Sequence, residues 1–267
     1  MISSLGIIAG NGAYPFELAQ RARAAGVQRI VVAAFENETR PDLASHVEEI
    51  TWMRVGQLGK MISVFEKSGV RDVIMAGQIA PKNLFDLRPD FKALLLLGRL
   101  KERNAESLFG GIADEMEKSG ISLLSATTFL EDSLASAGHI AGPQLKKRTV
   151  ADLEYGFRIA KEVSRLDIGQ TVVVRNGTVL AVEAFEGTND ALRRGGAMGK
   201  GSAVMVKVSK PNQDFRFDVP VIGLQTLETA QAAGIIAIGI EAGKTLLLER
   251  TQLLADAAAR KITLHGV

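Results

Sequence analysis

Short buried strands alternate with glycine-ended helices in the first half of this 267-residue chain, and this alternation constrains the fold more than any other feature. The stretch "LGIIAGNGAYPFELAQRARAAG" begins as an apolar strand, turns through glycine and continues as a helix that Pro15 can start and Gly26 can end. Further buried strands are expected at 29–35 and 70–75. Strands joined by helices predict an open parallel sheet with helices on its faces. We therefore predict a Rossmann-like α/β domain over residues 1–132.

The second half of the chain has a different pattern. The run "TVVVRNGTVLAVEAF" is typical of a β-hairpin, because its Asn176-Gly177 step tolerates the positive φ angles of a type I′ turn. Small residues and a Gly-Pro step predict a linker over residues 133–148. Residues 149–267 are predicted to form a mixed α/β catalytic domain that contains antiparallel strands.

The composition excludes several classes of protein and site. The chain has no cysteine, so disulfides, thiolate metal sites and cysteine nucleophiles are ruled out. Its three histidines (His46, His139 and His265) are far apart in sequence, and a histidine-based zinc site is not expected. A net charge of +2 is too small to indicate a nucleic-acid partner. The aliphatic runs are far shorter than the ~20 residues that span a bilayer, so we expect a soluble chain that at most rests on a membrane surface.

The loop Gly10-Asn11-Gly12 joins the first predicted strand to the first helix. Backbone N–H groups of such a loop can bind phosphate or nucleotide oxygens. A dinucleotide fingerprint needs a third glycine where this chain has Pro15, which argues against a nicotinamide oxidoreductase. Gln78 follows another parallel strand, and because ligands bind outside the carboxyl ends of such strands, both loops are expected to face one crevice. The alternative is that the glycines serve only a tight turn.

Charged residues are concentrated in "LAVEAFEGTNDALRRGG", where a strand is predicted to end and a helix to begin. Strand alternation places Glu183 on an apolar face, where an ionised carboxylate needs a partner or a metal. Glu186 lies at the predicted strand end, Thr188 can cap the helix, and Arg193 follows one turn later. Carboxylates beside a helix N-terminus suit a divalent cation, and arginines suit phosphate oxygens. Ordinary helix capping with surface arginines is the alternative.

The motif "QDFRFDVP" is predicted to be a strand that ends at Pro220. Alternation then directs Asp214, Arg216 and Asp218 to one face. Lys207, on the preceding segment, adds positive charge nearby. Acidic pairs combined with arginine and lysine are the usual groups of Mg²⁺-assisted phosphoryl chemistry. A charge-balanced sheet face is the alternative.

The segment "NLFDLRPDFKALLLLGRLK" (83–101) is a further apolar stretch. Phe91, Leu94, Leu95 and Leu97 can line one side of a helix that basic residues flank. Such a helix can rest in a lipid headgroup region or form the wall of an acyl-chain groove. Burial against the sheet is the favoured alternative, because leucine runs usually serve the core.

Five motifs of the chain resemble those of one family. "GIIAGNGAYP", "VIMAGQIAP", "GQTVVVRNGTVLAVEAFEGT", "KPNQDFRFDVPVIG" and "IEAGKTLLLER" resemble the LpxI-type UDP-2,3-diacylglucosamine pyrophosphatases of lipid A biosynthesis, over nearly the whole chain. The resemblance implies a Mg²⁺-dependent hydrolase with two domains and its lipid substrate between them. It implies that water attacks the α-phosphorus and that the products are UMP and 2,3-diacylglucosamine 1-phosphate. It also implies a cytoplasmic enzyme of a Gram-negative bacterium that contacts the inner membrane transiently, and a homodimer is compatible with it.

The resemblance also assigns roles to residues. Asp218 falls on the last aspartate of QDxRxDxP and is implied as the catalytic or metal-binding carboxylate, with Asp214 as its partner. Glu183, Glu186 and Thr188 fall on VEAxEGT, and whether Asn189 or Asp190 acts beside them stays open. The predicted metal ligands are Asp218, Asp214, Glu183 and Glu186, and the predicted substrate-binding residues are Gly10, Asn11, Gly12, Gln78, Thr188, Arg193, Lys207 and Arg216. A non-catalytic nucleotide-binding or regulatory protein is the competing interpretation, which the acidic motif argues against.

Overall fold

The computed structural model describes residues 2–79, 89–100 and 105–267. The chain divides into two compact units. Residues 1–130 and 215–218 make up the N-terminal unit, and residues 131–214 and 219–267 make up the C-terminal unit. Each unit combines a β-sheet with covering helices, which confirms the predicted α/β class.

The N-terminal unit is built on a five-stranded parallel sheet with the order β3-β2-β1-β4-β5. Its strands are β1 (Ser4–Ala9), β2 (Arg29–Phe35), β3 (Glu49–Met53), β4 (Asp72–Ala76) and β5 (Ser122–Leu123). Its helices are α1 (Tyr14–Ala24), α2 (Leu58–Ser68), α3 (Phe91–Arg99) and α4 (Ala105–Lys118). Residues of α2, α3 and α4 pack with β2 and β4 in one apolar core. This is the open sheet that the alternation of strands and helices predicts.

Helix α3 is amphipathic within this unit. Ala93 and Leu96 are buried in the core, whereas Phe91 is 76% exposed, Leu94 54% and Leu95 45%. The predicted burial against the rest of the domain therefore holds only for the inner face of α3. Residues 83–88 and 101 of the predicted segment lie outside the described residues.

The C-terminal unit is built on a six-stranded mixed sheet with the order β6-β13-β11-β9-β7-β8. Its strands are β6 (Gly138–Ala141), β7 (Thr171–Arg175), β8 (Thr178–Val182), β9 (Ala203–Lys207), β11 (Ile235–Ile240) and β13 (Thr263–Gly266). A separate parallel pair joins β10 (Val221–Ile222) to β12 (Leu246–Leu247). Strands β9, β11 and β13 are parallel, while β6, β7 and β8 pair antiparallel to their neighbours.

Helices cover both faces of this second sheet. They are α5 (Lys147–Arg165), α6 (Thr188–Gly199), α7 (Leu224–Ala232) and α8 (Arg250–Ala259). Strand alternation sends Val172 and Val174 of β7 towards Leu153 of α5, and sends Val173 towards Leu192 of α6. The predicted linker 133–148 contributes β6 to this sheet and pairs it with β13.

Asp152 has a different role from the one its spacing indicates. Thr149 and Asp152 have the spacing of a capping box, but α5 already begins at Lys147. The buried carboxylate of Asp152 accepts hydrogen bonds from the N–H groups of Asn176 (2.8 Å) and Gly177 (2.7 Å). It therefore fixes the predicted Asn-Gly turn between β7 and β8, where both residues have positive φ angles.

Within the described ranges, no helix combines the length and the apolar character that crossing a bilayer requires.

Candidate functional site

The predicted site residues fall into two groups, one in each unit. In the N-terminal unit, the loops after β1 and β4 are joined by backbone bonds. The N–H of Asn11 donates to the carbonyl of Gln78 at 2.7 Å, and the N–H of Gln78 donates back at 3.3 Å. A Cβ atom at Gly10 would lie 2.5 Å from the carbonyl oxygen of Gln78, so this approach requires glycine. The two loops therefore lie side by side after β1 and β4.

The same geometry supports the packing role of the glycines that the sequence left as the alternative. The side-chain oxygen of Asn11 accepts the N–H of Gly12 at 2.6 Å, so that N–H is already bonded within the loop. Asn11, Gly12 and Gln78 are exposed. This pair of loops therefore presents the side chains of Gln78 and Asn11 to solvent.

The prediction of a strand over "QDFRFDVP" is wrong. Residues 215–217 form a turn. The ring of Phe217 stacks on Phe109 of α4, with centroids 6.0 Å apart and planes 20° apart, and packs against the apolar core of the N-terminal unit. The N–H of Ala126 donates to the carbonyl of Phe215 at 2.6 Å. Burial of an aromatic ring in a distant core overrides the local alternation of the motif.

The turn changes the arrangement predicted for the charged residues of this motif. Asp214 ends a segment of the C-terminal unit, whereas Arg216 and Asp218 belong to the N-terminal unit. The guanidinium of Arg216 lies 5.0 Å from the centroid of the Phe217 ring. The predicted single strand face shared by Asp214, Arg216 and Asp218 therefore does not form.

Tyr14 was given no role by the sequence, yet it contacts the loop that holds this turn. Its buried hydroxyl donates to the carbonyl of Ala126. Burial raises the pKa of Tyr14 above its ordinary value, and the negative charges of Glu17 and Asp218 raise it further. No local sequence signal identifies Tyr14, because its partner comes from the loop after β5.

In the C-terminal unit, predicted site residues lie at the edge of the sheet where β8 and β9 end and β7 begins. Strand β8 ends at Val182, earlier than predicted, and the N–H of Glu183 still donates to the carbonyl of Thr171 at 2.8 Å. Thr171 is the register partner of Lys207, and the N–H of Glu241 donates to the carbonyl of Lys207 at 3.2 Å. Three neighbouring chain segments therefore bring together Glu183, Thr171 and Lys207, in that order.

Glu183 has one carboxylate oxygen satisfied and one left over. Its Oε1 atom accepts a hydrogen bond of 2.9 Å from the hydroxyl of Thr188, the first residue of α6. Its Oε2 atom is buried and has no hydrogen-bond partner in the part of the chain that the structure describes. An unpaired buried carboxylate oxygen is a donor of the kind that Mg²⁺ prefers.

No group of three or more Asp, Glu and His side chains within residues 2–79, 89–100 and 105–267 is arranged to hold a metal ion. Mg²⁺ commonly takes only one or two carboxylates and completes its shell with water and substrate phosphate. The free oxygen of Glu183 fits that mode of binding.

Glu186 and the nearby arginines are paired with protein groups. The carboxylate of Glu186 accepts hydrogen bonds from Arg194 (2.5 Å) and from the N–H of Ala184 (3.1 Å). The bond from Arg194 is the main cause that holds the pKa of Glu186 below its ordinary value. Arg193 pairs with Asp190 on the exposed side of α6. The paired arginines match the alternative of surface arginines.

The predicted capping by Thr188 is wrong: Gly187 is the N-cap of α6, no side chain caps it, and the hydroxyl of Thr188 donates to Glu183 instead.

Lys207 is only 8% exposed, and its Nζ atom donates to the carbonyl of Val221 at 3.2 Å. This carbonyl only partly compensates a buried ammonium group, so the surroundings of Lys207 favour an anionic ligand. Lys210 beyond it pairs with Asp167.

Glu241 anchors the loop after β9 and was not identified from the sequence. Its buried carboxylate accepts hydrogen bonds from the N–H and hydroxyl of Ser209, both at 2.8 Å, and pairs with Lys161 and Lys244. Burial raises the pKa of Glu241, but the hydrogen bonds from Ser209, Lys244 and Lys161 outweigh it and hold the pKa below the ordinary value. A carboxylate that directly follows the apolar run "IIAIGI" is the signal that could have indicated it.

Two family descriptions match the chain. Residues 4–133 match the LpxI N-terminal domain, and residues 136–265 match the LpxI C-terminal domain. The "UDP-2,3-diacylglucosamine pyrophosphatase LpxI" of Caulobacter vibrioides is 33% identical over 274 aligned residues, which cover 98% of this chain and 97% of that protein.

The chain also resembles parts of solved structures at a low level. The biotin carboxylase domain of Hydrogenobacter thermophilus 2-oxoglutarate carboxylase aligns with 67% of this chain and 36% of that chain. The identity is 12% and the TM-score is 0.30, a level that supports no inference about this chain.

Proposed function

The chain belongs to the LpxI family, and from this premise we propose that it hydrolyses UDP-2,3-diacylglucosamine to UMP and 2,3-diacylglucosamine 1-phosphate. The observation that carries the proposal is the identity to the Caulobacter pyrophosphatase, which extends over nearly the full length of both chains. Agreement of that extent includes both units, so the proposal concerns the whole chain rather than one shared domain.

In the proposed reaction, water attacks the α-phosphorus of the diphosphate. The bond from that phosphorus to the bridging oxygen breaks, and 2,3-diacylglucosamine 1-phosphate leaves with the bonding electron pair. The oxygen of water stays in UMP, and its proton passes to a base. We assign Asp218 as the carboxylate that accepts this proton or holds the metal ion, with Asp214 as its partner.

The proposed metal ion is Mg²⁺, which when bound would neutralise charge on the diphosphate oxygens. The candidates to hold it are Asp218, Asp214 and Glu183. The unpaired Oε2 atom of Glu183 is the support for its inclusion. Glu186 is the weakest of the predicted ligands, because both of its oxygens already accept hydrogen bonds.

The proposed substrate contacts follow from charge and exposure. Lys207 supplies a buried cation for a phosphate oxygen, and Thr188 supplies a hydroxyl beside Glu183. Gln78, together with the adjoining loop of Gly10, Asn11 and Gly12, offers polar groups to the nucleotide. Arg193 and Arg216 are proposed to contact the substrate through charge.

A two-tailed lipid substrate resides in a membrane, and the outer face of α3 is the proposed contact surface. Phe91, Leu94 and Leu95 are exposed there, and Lys92 and Arg99 belong to the same helix. Such a helix favours transient contact with the cytoplasmic surface of the inner membrane. A homodimer is compatible with this proposal, and light scattering of the purified protein measures it.

Turnover distinguishes this proposal from the non-catalytic nucleotide-binding alternative. The purified protein is incubated with UDP-2,3-diacylglucosamine in detergent micelles, with Mg²⁺ or with excess EDTA, and UMP is quantified by liquid chromatography. The proposal predicts Mg²⁺-dependent release of UMP in multiple turnovers. Nucleotide binding without any UMP release would support the alternative instead.

A further inference from the structure

Residues 215–218 comprise the turn and the aspartate that follows it, and their contacts with the rest of the N-terminal unit include two of different kinds. The Phe217 ring stacks on Phe109, and the N–H of Ala126 donates to the carbonyl of Phe215 at 2.6 Å. The ring contact holds one side chain, whereas the backbone bond fixes the path of the main chain just before Asp218. The position of Asp218 therefore depends on where the loop around Ala126 lies.

Tyr14 holds that loop from the other side. Its hydroxyl donates to the carbonyl of Ala126, whose own N–H is the donor to Phe215. Both backbone groups of Ala126 are thus bonded, one to the start of α1 and the other to the turn. Two successive hydrogen bonds connect Tyr14 to the main chain that carries Asp218.

The hydrogen bond from Tyr14 to Ala126 lies in a buried environment. The residue is 5% exposed, and its hydroxyl donates to the carbonyl of Ala126. A tyrosine phenol is protonated at neutral pH at its ordinary pKa, so this hydroxyl is a hydrogen-bond donor there.

We propose that Tyr14 is a positioning residue for Asp218: its hydroxyl fixes the Ala126 loop and, through it, residues 215–218. The catalytic part of this inference rests on the proposed function of Asp218. Because the turn before Asp218 is not a strand of the sheet, its hydrogen bond with Ala126 contributes to where Asp218 lies.

The test is Tyr14→Phe, which removes the hydroxyl and keeps the ring in its buried site. We expect kcat to fall about three- to tenfold, the effect of one lost hydrogen bond, while KM changes less than about twofold. A readout independent of activity is limited trypsin digestion. Cleavage after Arg216, measured by mass spectrometry relative to cleavage after the exposed Arg165, should accelerate by a similar factor. Tyr155→Phe, at the only other tyrosine of the chain, is the matched control and should change neither quantity.

The outcomes separate this inference from the proposed function. If Asp218→Asn keeps full activity, the catalytic assignment of Asp218 fails, but faster cleavage after Arg216 in Tyr14→Phe still supports the positioning role. Unchanged cleavage in a folded Tyr14→Phe protein would overturn the inference, whatever happens to kcat. A fall in melting temperature with unchanged cleavage and kcat would likewise overturn it and leave Tyr14 a core residue.

Discussion

The hydroxyl of Thr188 donates to Oε1 of Glu183 at 2.9 Å, while Oε2 of the same carboxylate is buried without a hydrogen-bond partner among the described residues. One oxygen is therefore held in place by the first residue of α6, and the other is left to an outside donor or cation. This division supports Glu183 over Glu186 as a metal ligand.

Glu183→Gln should weaken Mg²⁺ activation, because an amide replaces the ionised carboxylate. We expect the Mg²⁺ concentration for half-maximal rate to rise at least about tenfold. Initial rates over a Mg²⁺ titration measure it, and Mn²⁺ binding followed by electron paramagnetic resonance gives a second reading. Glu186→Gln is the control and should shift the value less than about twofold. Equal effects of both variants would contradict the distinction between them.

Asp218→Asn should fold normally and lose most turnover, on the order of a hundredfold or more, because the carboxylate is proposed to act on water or metal. Steady-state kcat and the melting temperature are the measurements. Asp42→Asn, at an exposed carboxylate of the same unit, should leave kcat within about twofold. Near-normal kcat in Asp218→Asn would remove Asp218 from the mechanism.

Adjacent leucines of α3 give a matched pair of substitutions. Leu96 is 7% exposed and packs in the core of the N-terminal unit, so Leu96→Glu should cost several kcal/mol of stability as an order of magnitude. Leu95 is 45% exposed, so Leu95→Glu should barely change the melting temperature.

The same Leu95→Glu variant tests the proposed membrane contact. Its binding to vesicles that contain anionic lipid, measured by sedimentation, should be weaker than that of the wild-type protein. Unchanged vesicle binding would exclude this face as the membrane contact. A large fall in the melting temperature of Leu95→Glu would show that the side chain serves the core.

The hydrogen bonds of Glu241 predict that the free energy of unfolding of the protein depends on pH. The folded pKa of Glu241 lies below the ordinary value of 4.5, so its contribution is fully present above pH 4.5 and is lost as the pH falls through the folded pKa. Glu241→Gln weakens hydrogen bonds to a charged group and should cost about 2 kcal/mol of stability at pH 7, and less at more acidic pH. Urea unfolding of both proteins across this range measures the difference. Glu162→Gln, at an exposed position on α5, is the control and should leave the free energy of unfolding almost unchanged. A loss of stability in Glu241→Gln that does not depend on pH would contradict the role of the Glu241 charge.

Local sequence patterns predicted much of the fold because neighbouring residues largely determine where strands and turns form. The apolar strands and glycine loops of the first half correspond to a parallel sheet, and the Asn176-Gly177 step corresponds to the β7–β8 turn. Alternation described the surroundings of Glu183 only in part, because a bulge in β8 puts Val179 and Ala181 into different apolar cores, and Phe185 is 66% exposed.

Long-range contacts account for the failures. Alternating apolar and charged residues predicted a strand around Asp218, but Phe217 packs on Phe109 of another segment, and the chain turns to allow it. Similarly, Asp152 has the spacing of a helix cap, yet its carboxylate accepts the N–H groups of the β7–β8 turn. Neither partner is visible in the local sequence, because both are brought near only by the completed fold.

The central claim is hydrolysis of the diphosphate by attack of water at the α-phosphorus, and isotope labelling tests it most directly. The purified protein is incubated with UDP-2,3-diacylglucosamine and Mg²⁺ in ¹⁸O-labelled water, and both products are analysed by mass spectrometry. Our account predicts one ¹⁸O atom in UMP and none in 2,3-diacylglucosamine 1-phosphate. Label in the lipid phosphate would contradict attack at the α-phosphorus, and the absence of both products would contradict the proposed activity itself.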